Sequence, residues 1–166
     1  MTTVQRGTLM GAVYAEAGAG TVRMEDVFDT DVDDLWAAVT QPERLARWVG
    51  TVEGDLRPGG RFTAAFTSRW EGPGRVEVCE APHHLLVTLE QGSSDETRVE
   101  AWLTADGERT RLVVEERGLP LDRAPDHGAG WQVHVEDLGA YLEGRATSTW
   151  HDRWVELQSD YRPAGA

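Results

Sequence analysis

The sequence predicts one α+β domain: a curved antiparallel β-sheet, two short helices after the first core strand, and a long helix near the C-terminus. Three observations carry that expectation. From Arg61 to Glu116, apolar and polar residues alternate in short runs separated by Gly- and Pro-bearing turns, the pattern of half-buried strands in a meander. From Gly130 to Leu142 the period changes, and Trp131, Val135, Leu138 and Leu142 recur at the spacing of one helix face. No repeat, low-complexity tract or linker divides the 166 residues, a length that suits a single domain (1–166) burying roughly 70% of its unfolded surface.

Taken in order, residues 1–8 are polar and expected to be loose. Leu9 to Glu16 reads as a short strand ended by Ala17-Gly18-Ala19-Gly20. Thr21 to Asp29 reads as a half-buried strand carrying Val22, Met24 and then Val27, with a phase shift near Asp26. Asp31 has the position of an N-cap, with Asp34 in the first turn of a helix that runs from Val32 to Thr40. Pro42 suits the first position of a second short helix reaching Val49, with Leu45 and Trp48 on one face. Pro58-Gly59-Gly60 and Gly72-Pro73-Gly74 read as turns on either side of a strand whose inner residues are Phe62, Ala64 and Phe66. Further alternating faces follow at Leu85/Val87/Leu89, Val99/Ala101/Leu103 and Leu112/Val114/Glu116, the last two joined by a hairpin at Asp106-Gly107. Gly118 to Ala129 reads as a loop, Gly130 to Leu142 as the long helix, and Gly144 as its stop. Residues 149–161 form an additional helix, opened by Thr149 and Asp152 in the manner of a capping box.

Composition narrows the function classes. Sixteen basic residues face 29 acidic ones, a net charge of −13 that repels phosphate backbones and anionic lipid, so neither nucleic-acid binding nor membrane insertion is expected. No apolar run approaches the roughly 18 to 20 residues of a membrane span, and Met1 to Arg6 lacks a secretory apolar stretch. The lone Cys79 forms no internal disulfide, which fits a reducing cytoplasm and reads as a small apolar residue. Lys is absent, which removes Schiff-base chemistry, pyridoxal-phosphate attachment and phosphate-loop binding; Asn is absent too, which removes glycosylation acceptors. His83 and His84 would point to opposite faces of a strand, and His127, His134 and His151 lack ligand spacing, so no metal and no cofactor are expected.

The run Val32 to Thr40 followed by Pro42 to Trp48, the turn Gly54-Asp55-Leu56-Arg57-Pro58-Gly59-Gly60-Arg61-Phe62, the strands from Gly74 to Leu89 with the Asp106-Gly107 hairpin, and Gly130-Trp131 together resemble the START-like superfamily. More narrowly they are similar to its bacterial branch related to the heat-shock-protein-90 ATPase activator. The resemblance covers about Val22 to Leu142 and departs at Trp48-Val49, where two aromatics are common. It implies the helix-grip fold, a curved sheet wrapped around a long C-terminal helix with a cavity between them. Fold alone does not assign activity, because the superfamily includes ligand carriers, cyclases, lipid-transfer domains and co-chaperone modules.

Glu116 is in phase with Leu112 and Val114 and so faces inward, where a carboxylate is costly unless paired. Two readings stand: a strand-end residue reaching solvent, or a polar anchor or raised-pKa base at the pocket mouth. His134, one turn after Trp131, is its natural partner, and the two are the catalytic candidates of a cyclase- or hydrolase-like reading. Trp48, Phe62, Phe66, Trp131, Val135 and Leu138 are the expected walls. Trp70 and Trp102 are out of phase and expected at the surface, while Trp150 and Trp154 seat the last helix. The leading expectation is a carrier of a small hydrophobic or aromatic molecule, with Glu116 and His134 as its polar contacts. An acid/base enzyme and a chaperone-partner module using an outer patch near Trp102 are the alternatives. The strand at Leu9–Glu16 would also offer an edge for a homodimer.

Overall fold

In the computed structural model, which describes residues 10–162, eight strands form one antiparallel sheet. They are β1 (Gly11–Glu16), β2 (Ala19–Phe28), β3 (Gly50–Gly54), β4 (Arg61–Phe66), β5 (Glu71–Glu80), β6 (His84–Leu89), β7 (Thr97–Asp106) and β8 (Arg109–Leu119). Their spatial order is β1-β2-β8-β7-β6-β5-β4-β3. Helices α1 (Val32–Thr40) and α2 (Pro42–Leu45) lie between β2 and β3; α3 (Ala124–Leu142) and α4 (Trp150–Tyr161) follow β8. This is the predicted curved sheet with its long helix. The expectation for residues 1–8, and the Leu9 end of the first strand, lie outside the described residues.

The hairpin between β1 and β2 turns on Ala17 and Gly18, both at positive φ (53° and 81°), the twist-matched geometry of a two-residue loop. No phase shift occurs at Asp26. The register with β8 runs unbroken from Thr21 to Phe28, and the irregularity sits between Gly20 and Thr21. Val22, Met24 and Phe28 share the buried face; Asp26 occupies the same phase near the strand end and bonds the Val27 N–H at 2.8 Å. Asp31 caps α1 by accepting from the Asp34 N–H at 2.8 Å. Helix α2 is shorter than the predicted Pro42–Val49, because the chain turns after Ala46 to enter β3 at Gly50.

Gly72-Pro73-Gly74 is not a turn. These residues lie inside β5, opposite Ala64, Thr63 and Phe62, and the β4–β5 connection passes instead through Arg69 at φ 74°. The glycines serve packing: a Cβ at Gly74 would fall into the Phe62 ring, and one at Gly72 would meet Trp70 Cζ2 at 2.9 Å. Helix α3 likewise begins at Ala124 rather than Gly130, with Pro125 in the first turn, where no N–H is needed. Gly128 and Gly130, inside this helix, are contact points. A Cβ on Gly128 would stand 2.9 Å from Tyr161 Cδ1, and one on Gly130 would touch Trp150 at 3.4 Å. Thr149 is the N-cap residue of α4 but makes no side-chain capping bond, so the expected capping box is absent.

Helix α3 packs across β1 and β2 on one side and α4 on the other, while α1 covers β7 and β8 and α2 covers β3. Two apolar clusters result. The larger holds Met24, Leu35, Leu103, Val114, Val133 and Leu138; the smaller holds Val52, Phe62, Ala64, Val76 and Leu89. Between them, on the inner face of β4 to β7, Phe66, Cys79, Leu85, Val87 and Val99 remain only half-buried. No helix among the described residues is long and apolar enough to cross a membrane.

Candidate functional site

The half-buried inner strip faces the first half of α3, with Phe66 reaching the His134 ring at 5.8 Å between centroids. Cross-strand register sets the strip: Glu116 pairs with Val99, Val99 with Val87, and Val87 with Val76, so all four share one face. Helical spacing sets the side opposite, because His127, Trp131 and His134 fall at i, i+4 and i+7 once α3 starts at Ala124.

Glu116 faces inward and is 5% exposed, which removes the reading of a strand-end residue in solvent. Its carboxylate accepts from Trp131 Nε1–H at 2.9 Å and from Thr97 Oγ1–H at 2.8 Å, and His127 Nδ1 lies 3.1 Å away. Burial pushes the carboxyl up, but these partners outweigh it and hold it below the usual carboxylate range. The expected raised-pKa base is therefore corrected, and so is the expected partner. His127 belongs to the stretch read as a loop, so its approach to Glu116 became visible only with the true start of α3.

His134 is 4% exposed and makes no hydrogen bond with Glu116; its Nδ1 is buried without a partner. Burial lowers its pKa to about 4, partly offset by the nearby Glu116 charge, so the ring is neutral at pH 7. It sits among aromatic rings, with centroid distances of 5.8 Å to Phe66, 5.6 Å to Trp131 and 5.5 Å to Trp150. Phe66 in turn contacts Trp70 at 5.0 Å.

The expected wall thus divides. Phe66, Glu116, Trp131 and His134 come together between the inner strip and α3. Trp48 is buried with its indole N–H on the Ala38 carbonyl at 2.9 Å, and Phe62 packs in the smaller cluster over Gly74. Val135 and Leu138 belong to the larger cluster, at 2% and 0% exposure. Trp70 and Trp102 are half-buried rather than exposed: Trp70 donates to Glu90 at 3.0 Å, and Trp102 stacks on His84 at 5.9 Å. Cys79 is half-buried, and burial pushes its thiol up, as suits an inert apolar residue. Among the described residues, no group of three or more His, Cys, Asp or Glu is arranged to hold a metal ion.

The outer side of the sheet has a different character. Arg23 pairs with Glu115 at 2.8 Å, and Arg117 bridges Glu115 and Glu100 at 3.0 and 2.6 Å. These residues, with Trp102 and Val113, line an open cleft of about 450 Å³; a second, of about 390 Å³, lies by Glu53, Arg61, Thr63 and Pro73.

A family model described as "Activator of Hsp90 ATPase homolog 1-like protein" matches residues 29–143. Comparison with curated proteins gives no match. Among solved structures, the crystal structure of CalU16 from Micromonospora echinospora is 24% identical, covering 91% of this chain and 92% of its own, with a TM-score of 0.75. The protein encoded by BPP1335 from Bordetella parapertussis is 22% identical over 89% of this chain and 86% of its own, with a TM-score of 0.72. DynU16, from the dynemicin biosynthetic locus, is 30% identical over 78% of this chain, with a TM-score of 0.70. This chain spans 50% of the DynU16 chain.

Proposed function

The chain belongs to the family of Activator of Hsp90 ATPase homolog 1-like proteins, and from that premise we propose that it binds a small, mainly apolar aromatic molecule between the inner face of β4 to β8 and the first half of α3. The observation that carries this reading is the half-buried strip of Phe66, Leu85, Val87 and Val99 facing Trp131 and His134. Apolar surface left partly wet inside a concave sheet gains about 25 cal/mol per Å² when a ligand covers it. A biosynthetic locus is the setting of DynU16, and that setting supports a small-molecule ligand here. Glu116 serves by fixing Trp131: its carboxylate anchors the indole N–H, so the ring stands ready as a wall.

No reaction is part of this proposal. Glu116 has its donors already in place and His134 is neutral and not bonded to it, which supports a binding role for the two over an acid/base pair. The lone Cys79, which has no internal disulfide partner, supports a cytoplasmic setting. The outer face around Trp102 is dominated by ion pairs, which favours a small-molecule ligand over chaperone docking; the exposed large apolar side chains among the described residues are Tyr14 on β1, Leu121 between β8 and α3, and Val155 on α4.

Titration with N-phenyl-1-naphthylamine, a neutral fluorescent probe, tests the reading. The wild-type protein should bind it, Trp131→Ala should weaken binding at least tenfold, and Trp102→Ala should leave it unchanged. Equal binding by wild type and Trp131→Ala removes Trp131 and its surroundings as the site.

A further inference from the structure

Three donors meet the buried Glu116 carboxylate, and only one of them can carry a charge. Thr97 Oγ1–H and Trp131 Nε1–H stay neutral; the third is the imidazole of His127, whose Nδ1 lies 3.1 Å from Oε1. An ionised carboxylate only accepts, so Nδ1 holds the hydrogen, and in the neutral ring Nε2 keeps a bare lone pair. Nε2 makes no hydrogen bond in the protein, and the His127 side chain is 37% exposed against 6% for Glu116, so the free edge of the ring faces solvent.

Anchoring Trp131 does not by itself call for a charge. A neutral amide oxygen would accept from the indole without the cost of burying an ion. A carboxylate suits a ring that becomes an imidazolium, because the positive charge then forms against a fixed negative one. A buried carboxylate on Nδ1 with an accessible, unprotonated Nε2 is the arrangement of an oriented general base. Among the described residues no hydroxyl or thiol is bonded to Nε2, so the nucleophile such a base serves is water. Trp131 sets where a substrate lies: its Nε1 shares Oε1 with His127 Nδ1, at 2.9 and 3.1 Å, so the half-buried indole and the imidazole stand side by side.

We propose that His127 is a general base, positioned by Glu116, for the hydrolysis of a small aryl ester whose ring lies against Trp131. Nε2 takes a proton from water while the water oxygen adds to the ester carbonyl carbon. The tetrahedral intermediate collapses with cleavage of the bond to the aryl oxygen, which receives the proton from Nε2. A carboxylic acid and a phenol leave, and Glu116 stays ionised throughout. This rests on Trp131 lining a ligand site, and it goes further in assigning a reaction and the residue that performs it.

The test follows hydrolysis of 2-naphthyl acetate by naphthol fluorescence, with N-phenyl-1-naphthylamine binding measured in the same proteins. The wild type should turn the ester over with saturation, and faster than imidazole at equal concentration. His127→Gln should lower kcat about a hundredfold or more, with KM and naphthylamine affinity kept within about twofold. Glu116→Gln, which retains an acceptor for Trp131, should lower kcat about tenfold or more at similar KM. His151→Gln, a change at an exposed histidine on α4, should hydrolyse the ester as the wild type does. A wild type no faster than imidazole, or His127→Gln as active as the wild type, overturns the inference. Naphthylamine binding that persists in that case leaves the ligand site standing, and its absence removes both. Loss of naphthylamine affinity together with activity in Glu116→Gln overturns the positioning role of that residue. The wild-type comparison needs no variant, so it decides even if a substitution impairs folding.

Discussion

Replacing His134 by Phe should flatten the acid side of the protein's stability profile. The imidazole has a pKa of about 4 in the folded chain against an ordinary 6.5, because burial disfavours its charged form. Below pH 6.5 the unfolded chain takes up a proton that the folded chain refuses until about pH 4, so this group's contribution is intact above 6.5 and is lost as pH falls through that window. At about 1.4 kcal/mol per pKa unit the full loss is about 3 kcal/mol, of which about 2 kcal/mol falls between pH 7 and pH 5. For a domain of this size that lowers Tm by about 4–8 °C. Phe keeps a ring among Phe66, Trp131 and Trp150 and removes the titration. Thermal unfolding followed by circular dichroism at pH 7, 6 and 5 should therefore show a drop for the wild type that exceeds the variant's by about that amount. Carboxylates held low by their partners, such as Glu116, Asp34 and Glu100, lose their contributions below the usual carboxylate range, outside this window. Asp137, raised by burial, acts with opposite sign but is common to both proteins and cancels in the difference. Parallel Tm profiles from pH 7 to pH 5 would refute a neutral, enclosed His134.

Two further outcomes follow from packing. Gly74→Ala places a methyl in the Phe62 ring and should cost about 2 kcal/mol by urea unfolding, with Phe62→Leu in the same chain recovering part of it. Arg153→Met removes two hydrogen bonds of 2.8 Å to the Glu136 carboxylate, which tie α4 to α3, and should cost about 1–2 kcal/mol. Combined with Glu136→Gln, its effect should be clearly less than additive, because the two changes sever one contact.

Most of the architecture is written in local patterns. Alternation located the strands, the Asp31 cap and Pro42 bounded α1 and began α2, and Gly107 marked the last hairpin. At Gly72, Gly74 and Gly128 the sequence pattern of a turn or loop gives way to packing. Gly72 and Gly74 accommodate Trp70 and Phe62, and Gly128 accommodates Tyr161. Nothing local distinguishes a glycine that bends the chain from one that lets another ring approach. The site was affected in turn. A helix that starts at Gly130 leaves His127 off its face, which hides the His127 partner of Glu116; Trp131 and Thr97 meet the carboxylate only through the tertiary fold. The inward phase of Glu116 was legible because period-two alternation is a local property; its partners depend on where a helix from another part of the chain comes to rest.

The two glycines on the back of α3 bear on how the polypeptide could be divided. Tyr161 nests against the bare backbone of Gly128, Trp150 lies beside Gly130, and Trp154 donates to the Asp126 carbonyl at 3.0 Å. The covalent link between the two helices is the exposed stretch 143–149. A chain severed in that stretch would carry on its rear surface a mould of its own tail, and the tail offered as a free peptide would have the shape to refill it.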